Sequence, residues 1–137
     1  MTDAVVEQGV LLSSALGAEV RLLHVGAPDP DFVGYGVGPG TVRDDAAHAL
    51  RAEHRALEHL VARFEAAKVV AKPLLVRGPT ISTILEQAGR FGADLVVLGS
   101  HGHGALFNLV AGSVTQGVLH AATVPVLVVP SRRAPTE

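Results

Sequence analysis

Hydrophobic residues recur along this chain in two spacings that alternate from one end to the other. Some segments repeat apolar residues every three or four positions, as amphipathic helices do, and short apolar runs follow them, as buried strands do. The spacing predicts helices over residues 3–16, 41–67, 80–88 and 113–121. It predicts strands over residues 20–25, 69–76, 94–98 and 124–129. This alternation is typical of an α/β fold, a single-domain open parallel sheet with helices on both faces.

Individual residues refine this pattern. In the first predicted helix, Val5, Leu12 and Leu16 fall on one face, which we expect to be buried. Pro73 lies inside the second predicted strand, and because proline cannot donate to a ladder, that strand is expected at a sheet edge. Residues 26–40 hold five glycines and three prolines, so they are predicted to form a loop.

Composition and charge narrow the range of functions. The 137 residues fit one domain, which we place at residues 1–130, with a disordered tail at residues 131–137. The formal net charge of −2 argues against a nucleic-acid partner, and the absence of cysteine excludes disulfides and thiolate metal sites. Neither a secretory signal nor an apolar run of the roughly 20 residues that span a membrane is evident. We therefore expect a cytoplasmic protein without membrane contact.

The segment after the third predicted strand carries the chemistry. Gly99, Gly102, Gly112 and Ser113 follow the spacing G-x2-G-x9-G-S, between a predicted strand and a predicted helix. Glycines let the backbone approach a phosphate closely, and the free N–H groups and dipole of a helix start favour an anion. This spacing therefore predicts a phosphate-binding loop.

Two better-known phosphate loops are missing from the sequence. It has no GxxxxGK[ST] motif, and its only lysines, Lys68 and Lys72, lie elsewhere. It has no GxGxxG motif either. The phosphates are therefore expected to be held mainly by main-chain donors, an arrangement compatible with a bridging divalent cation such as Mg²⁺.

The spaced glycines and their flanks resemble the universal stress protein family. Its ATP-binding branch has the signature G-x2-G-x9-G-[S/T] after the fourth strand, which the four residues above match position for position. The apolar runs at residues 93–98 and 124–129 and the segment 16–25 match as well. The resemblance implies an adenine nucleotide alpha hydrolase-like fold, bound ATP, and a homodimer through the last strand, which begins at Val124 and ends at Val129.

The resemblance also assigns roles to residues. The glycines would line the phosphate and ribose site, Val25 and Leu98 would pack near the adenine, and the first residues of the last helix would contact phosphates through backbone and hydroxyl groups. The expected nucleotide contacts are Val25, Leu98, Gly99, Ser100, His101, Gly102, His103, Gly112, Ser113, Val114 and Thr115.

The chain departs from the family pattern in two respects. The family opens with an additional central strand that carries an aspartate, whereas here four strands are recognisable instead of five. Three explanations are open: a start assigned downstream of the true one, closure of the two flanking strands on each other, or a segment of another chain in the gap. In addition, His103 occupies a position that is often basic in the family, which weakens phosphate attraction.

Simpler structural roles compete with binding at several of these side chains. Ser113 with Gln116 fits a capping box, so its hydroxyl could serve only the helix. His101 and His103 lack an evident third metal ligand, so no metal site is predicted. His24 is expected to be a core histidine bonded to backbone. Surface positions on the long helix are expected for His54, Glu53, Glu58 and His59.

Three functions follow, of which the first is preferred. The first is an ATP-binding, dimeric stress-response or signalling module. The second is a dimeric interaction module that does not bind nucleotide, since the family's aspartate is missing. The third is a slow ATPase or autophosphorylating protein, for which the hydroxyls of Ser113 and Thr115 are the only motivation. No nucleophile, base and orienting group occur together in the sequence, so efficient catalysis is not predicted.

Overall fold

A computed structural model describes residues 2–26, 39–100 and 112–130. Within those ranges helices and strands alternate as the sequence predicts. The elements are α1 (Thr2–Leu16), β1 (Val20–Gly26), α2 (Pro39–Ala66), β2 (Ala71–Arg77), α3 (Thr80–Phe91), β3 (Val96–Gly99), α4 (Ser113–Ala121) and β4 (Val126–Val129). Helix α2 begins at Pro39, inside the segment predicted as a loop. The rest of that loop, residues 27–38, and the tail at 131–137 lie outside the described residues.

The strands form two parallel pairs. β1 pairs with β2 and β3 pairs with β4, and within the described residues no hydrogen-bonded ladder joins β1 to β3. Parallel strands with flanking helices confirm the predicted α/β class. Within the described residues the strands form two ladders, and the alternative that the two flanking strands close on each other is wrong. The physical reason is that no described strand lies between β1 and β3.

The edge position of β2 agrees with its proline. Pro73 lies opposite Leu22 in the β1–β2 register, and among the described strands β2 pairs only with β1. The free side of β2 therefore has no ladder that the missing N–H of proline would interrupt.

Two layers of helices cover the strands. Helices α1 and α2 pack on each other, with α1 against β3 and β4 and α2 against β1 and β2, while α3 packs on α4 and on β1. Successive side chains of a strand point to opposite faces. Accordingly, Leu22 packs into the cluster between α1 and α2, whereas Arg21 stacks over Phe91 of α3, 4.2 Å from the ring centroid. β1 is therefore covered on both faces.

The main hydrophobic core lies where α1 and α2 meet β1 and β2. Its buried members are Val6, Val61, Phe64, Val69 and Ala71, with Val10, Val20, Leu22, Leu60 and Ala67 packed around them. A Cβ at Gly9 would come within 3.2 Å of the Phe64 ring, so α1 approaches this ring closely. The buried side of α1 thus runs through Val6 and Gly9. Leu16 is 71% exposed, so its predicted burial is wrong.

None of the helices in the described part of the chain combines the length and apolar character that crossing a membrane requires.

Candidate functional site

The carboxyl ends of the described strands lie on one edge of the molecule. Residues 78 and 79 reverse the chain between β2 and α3, and residues 92–95 reverse it again between α3 and β3. Strand β3 therefore runs in the same direction as β2, and the partners β1 and β4 run with them. Ligands of parallel α/β proteins bind beyond this edge, and the predicted site residues that the structure describes lie on it.

Helix α4 begins at this edge with an open amino terminus. Gly112 is its N-cap residue, extended at φ −70° and ψ 166°, and none of the described side chains caps the helix. The first helical hydrogen bond is donated by the N–H of Gln116 to the Gly112 carbonyl, at 2.9 Å. The N–H groups of Ser113, Val114 and Thr115 precede that bond and have no partner within the helix.

The predicted capping box is wrong. Ser113 is the first helical residue rather than the N-cap, so its side chain is placed one position too late to bond back to the helix start. Gly112 takes the cap position because its extended backbone continues directly into the helix. Ser113 and Val114 are exposed.

Thr115 has a structural role at this site. Its hydroxyl donates to the carbonyl oxygen of Gly99 at 2.8 Å, and the residue is only 4% exposed. The bond joins the first turn of α4 to the end of β3. The hydroxyl proton is therefore already donated within the protein and is not available to a phosphate. This contradicts the expectation that the Thr115 hydroxyl contacts phosphate. The backbone N–H of Thr115 is unaffected by this bond.

The corner after β3 is fixed from two sides. Ser100 is 4% exposed, and its N–H donates to the Val129 carbonyl at 2.8 Å. Its own carbonyl accepts from the N–H of Gly112 at 2.6 Å. The ends of β3 and β4 and the start of α4 are thus held together by main-chain bonds, in addition to the bond from the Thr115 hydroxyl.

The remaining predicted contacts divide into two groups. Val25 and Leu98 lie near the carboxyl ends of β1 and β3, both half-buried, at the same edge as Gly99 and the start of α4. His101, Gly102 and His103 lie outside the described residues. The structure therefore brings the described members of the predicted set to one edge.

A polar pair near this edge was not expected from the sequence. His24 on β1 is not a core histidine: its side chain is 47% exposed, and Nε2 lies 3.9 Å from Oε1 of Glu53 on α2. The other carboxylate oxygen of Glu53, Oε2, is buried without a hydrogen-bond partner among the described residues, so this side chain, which is 35% exposed, is only partly solvated. The alternation of β1 could have shown that His24 shares the α2 side with Leu22. Nothing in the sequence pointed to Glu53.

His54 and Glu58 are on the surface as expected and form an exposed pair at 3.2 Å; His59 is exposed too. Within residues 2–26, 39–100 and 112–130, no three histidine, aspartate or glutamate side chains are grouped so that they could hold a metal ion.

Comparison with known proteins identifies the family. A sequence profile of the Universal stress protein family matches residues 1–130. The chain belongs to the universal stress protein family. A universal stress protein of Thermus aquaticus is 35% identical over 119 residues, which cover 85% of this chain and 81% of that protein. A universal stress protein of Mycobacterium tuberculosis is 61% identical over 36 residues, which are 26% of this chain and 12% of that longer protein.

Solved structures of family members share the fold. The structure of a protein from Methanocaldococcus jannaschii superposes with a TM-score of 0.72 at 25% identity, covering 96% of this universal stress protein and 91% of that chain. A family protein of Arabidopsis thaliana with AMP bound has a TM-score of 0.65 at 20% identity, with 95% of this chain and 77% of that chain covered. One from Archaeoglobus fulgidus in complex with dAMP has a TM-score of 0.62 at 16% identity, covering 92% and 85%.

Proposed function

We propose that this universal stress protein binds an adenine nucleotide at the carboxyl edge formed by β1, β3 and the start of α4, and that ATP with Mg²⁺ is the ligand. The observation that supports the proposal most is the amino terminus of α4. No side chain of the described residues caps it, its N-cap residue is Gly112, and it is fixed to the end of β3 by the Thr115 hydroxyl and the Gly112 N–H.

The chemistry of that terminus suits a phosphate. Its first N–H groups, which have no partner within the helix, are hydrogen-bond donors, and the helix dipole places the equivalent of about half a positive charge there. Because Thr115 and Ser100 bond inside the protein, the terminus is preorganised and little of the binding free energy is spent on ordering it. Among the described residues of α4's first turn, Ser113 has an exposed hydroxyl that remains available to a ligand.

Relatives support the choice of an adenine nucleotide. The Arabidopsis family member has AMP bound and the Archaeoglobus member has dAMP, and both share the fold of this chain. In our proposal the adenine lies between Val25 and Leu98, and the phosphates extend toward Gly99, Gly112 and Ser113. ATP rather than a monophosphate is proposed because the glycine spacing matches the ATP-binding branch of the family.

Calorimetric titration of the full chain with Mg-ATP, AMP and cAMP tests the proposal. The variant Ser113→Asp separates binding from folding. A carboxylate in the first turn stabilises a helix by about 0.3–1 kcal/mol but repels an anion. We expect the variant to be at least as stable as the wild type and to bind Mg-ATP at least about tenfold more weakly, which corresponds to about 1.4 kcal/mol.

Ser82→Asp is the matched control. Ser82 lies in the first turn of α3, exposed, with its hydroxyl near the Pro79 carbonyl at 3.3 Å. The same charge at a second helix start should stabilise the chain similarly and leave nucleotide affinity unchanged. If folded wild type gave no heat with millimolar nucleotide, or if both variants weakened binding equally, the proposed phosphate site would be wrong.

We further propose that the protein acts as a homodimer in a stress or signalling response, with residues 124–129 in the interface. Among the described strands β4 pairs only with β3, so its other side offers an unpaired backbone edge. Sedimentation of the chain with and without Mg-ATP tests this, and a monomer at all concentrations would contradict it.

The division of the strands favours a second candidate function, that of an interaction module without nucleotide. Val25 and Leu98 belong to described strands that are not paired with each other. The distance between these two residues, which would enclose the adenine, is therefore not fixed by a shared ladder. This candidate predicts a dimer that is equally stable with and without nucleotide, together with a titration that gives no heat.

A further inference from the structure

A groove lies between helix α2 and the edge strand β2. Its lining residues are Leu50, Arg51, His54 and Arg55 of α2 and Leu75 of β2. Its volume of about 630 Å³ falls within the ~300–1,000 Å³ that is typical of small-molecule sites. None of these residues belongs to the candidate nucleotide site, so the groove is a separate feature of the surface.

Two leucines form the apolar floor of the groove. Ala71 of β2 belongs to the core cluster between α1 and α2, and because side chains alternate along a strand, Leu75 faces α2 as well. Leu75 is half-buried, whereas Leu50 is 41% exposed. An aliphatic chain lying along these two side chains would remove apolar surface from water, which is favourable.

Two arginines border this floor without an acidic partner. Arg51 and Arg55 are exposed, one helical turn apart, and neither forms an ion pair within residues 2–26, 39–100 and 112–130. The Nε of Arg55 donates to the Arg51 carbonyl at 3.4 Å, so this side chain turns back toward Arg51. His54, also in the lining, pairs with Glu58 at 3.2 Å. The two guanidinium groups therefore repel each other, and an anion between them would relieve that repulsion.

Arginines elsewhere on the surface are paired differently. Arg63 lies 2.9 Å from a carboxylate oxygen of Asp3, and Arg90 lies 3.2 Å from one of Glu86. The groove thus combines cations that no described carboxylate balances with an apolar floor, and a complementary ligand must carry both a negative charge and an apolar body.

We propose that the groove binds an aliphatic carboxylate. The alkyl chain lies along Leu50 and Leu75, and the carboxylate accepts hydrogen bonds from Arg51 and Arg55. Planar guanidinium groups match the two oxygens of a carboxylate, and such charge-assisted bonds are among the strongest that side chains form. The inference does not depend on nucleotide binding.

Titration of the full chain with sodium octanoate, followed by NMR, tests the proposal. We expect saturable shifts of the Leu50 and Leu75 methyl signals and of the Arg51 and Arg55 side-chain N–H signals. Acetate, which has the same charge without the chain, and octylamine, which has the chain with the opposite charge, should not produce them. Octanoate shifts centred on Gly112 and Ser113 instead would overturn the proposal.

A double variant measures the contribution of the charges. Arg51→Gln with Arg55→Gln keeps two long polar side chains, and we expect octanoate to bind at least about tenfold more weakly. The matched control, Arg63→Gln with Arg90→Gln, removes the same net charge from other parts of the surface and should leave the affinity unchanged. Equal weakening by both double variants would show that only overall charge matters and would refute the site.

The length of the chain measures the contribution of the floor. Each CH₂ group that enters the groove should tighten binding by about two- to fourfold, so affinity should rise from butyrate through hexanoate to octanoate. Leu50→Gln should flatten this rise while the protein stays folded, because Leu50 is partly exposed. An affinity that is independent of chain length, or the absence of saturable shifts with octanoate, would contradict the proposal.

Discussion

At the residue scale, one hydroxyl links the predicted ligand site to the stability of the fold. Thr115 is expected from the sequence to contact phosphate, but its hydroxyl donates to Gly99 in a buried position. Ser113, two residues earlier, has its side chain at the surface. The two hydroxyls of one helical turn therefore have different surroundings, and only the packing of α4 on β3 distinguishes them.

Replacing Thr115 by valine tests this assignment. The change keeps the shape of the side chain but leaves the half-buried Gly99 carbonyl without its donor, so the free energy of unfolding in urea should fall by about 1–3 kcal/mol. Nucleotide affinity of the folded variant should stay within a few-fold of the wild type. The matched control, Thr123→Val, changes an exposed threonine and should alter stability by less than about 0.5 kcal/mol. A folded variant that is fully stable and binds no nucleotide would show that the hydroxyl is a ligand donor after all.

At the element scale, close packing of α3 on α4 sets the position of the site. A Cβ at Gly117 of α4 would collide with Cδ1 of Ile81 and lie 3.1 Å from its Cγ1. The glycine therefore lets α4 approach α3, whose short connections lead to β2 and β3. Since α4 carries the proposed phosphate site, this contact affects where its amino terminus lies relative to β3.

The pair Gly117→Ala and Gly89→Ala separates packing from helix propensity. Alanine favours a helix over glycine by about 0.8–1.0 kcal/mol in each case. At Gly89 a Cβ meets nothing within 4 Å, so stability should rise by about that amount. At Gly117 overpacking costs about 1–3 kcal/mol and should cancel or reverse the gain. Thermal and urea unfolding of both variants provide the measurement. Equal stabilisation by both would mean that Ile81 moves aside freely.

At the scale of the whole molecule, the core and the bridging helices join two separate ladders. The main cluster contains Phe64 of α2, 1% exposed, packed beside α1 and the β1–β2 pair. Helix α1 also packs on β3 and β4. A change that loosens the core should therefore lower the stability of both ladders, even though no backbone bond connects them in the described residues.

Phe64→Ala tests this coupling. Loss of a buried phenylalanine costs about 3–5 kcal/mol, a large part of the 5–15 kcal/mol by which domains are stable. We expect one unfolding transition at a lower denaturant concentration, with β1 and β3 amides losing protection together. Phe91→Ala, at a ring that is 39% exposed, should cost less. If β3 and β4 kept their protection after β1 and β2 had unfolded, the two ladders would be independent units.

Local patterns in the sequence were sufficient for the order of the elements, the edge strand and the spaced glycines of the site. These signals are the apolar spacing, Pro73 and the glycines. Each acts through bonds and contacts within a few residues, so its structural meaning can be predicted without knowledge of the fold. The burial of Leu16 was predicted wrongly because helical periodicity alone does not fix which of two adjacent faces of α1 is buried. The residue that fixes the buried face, Phe64, is far away in the sequence.

Only the tertiary structure decided how those elements act on each other. The use of the Thr115 hydroxyl by Gly99, the pairing of His24 with Glu53 and the division of four strands into two ladders all join residues that are distant along the chain. Such contacts depend on which surfaces meet after packing, which no local spacing encodes. The sequence alone therefore determined that this universal stress protein has a glycine-spaced helix start, whereas the fold decided that the Thr115 hydroxyl bonds to Gly99 while Ser113 stays exposed.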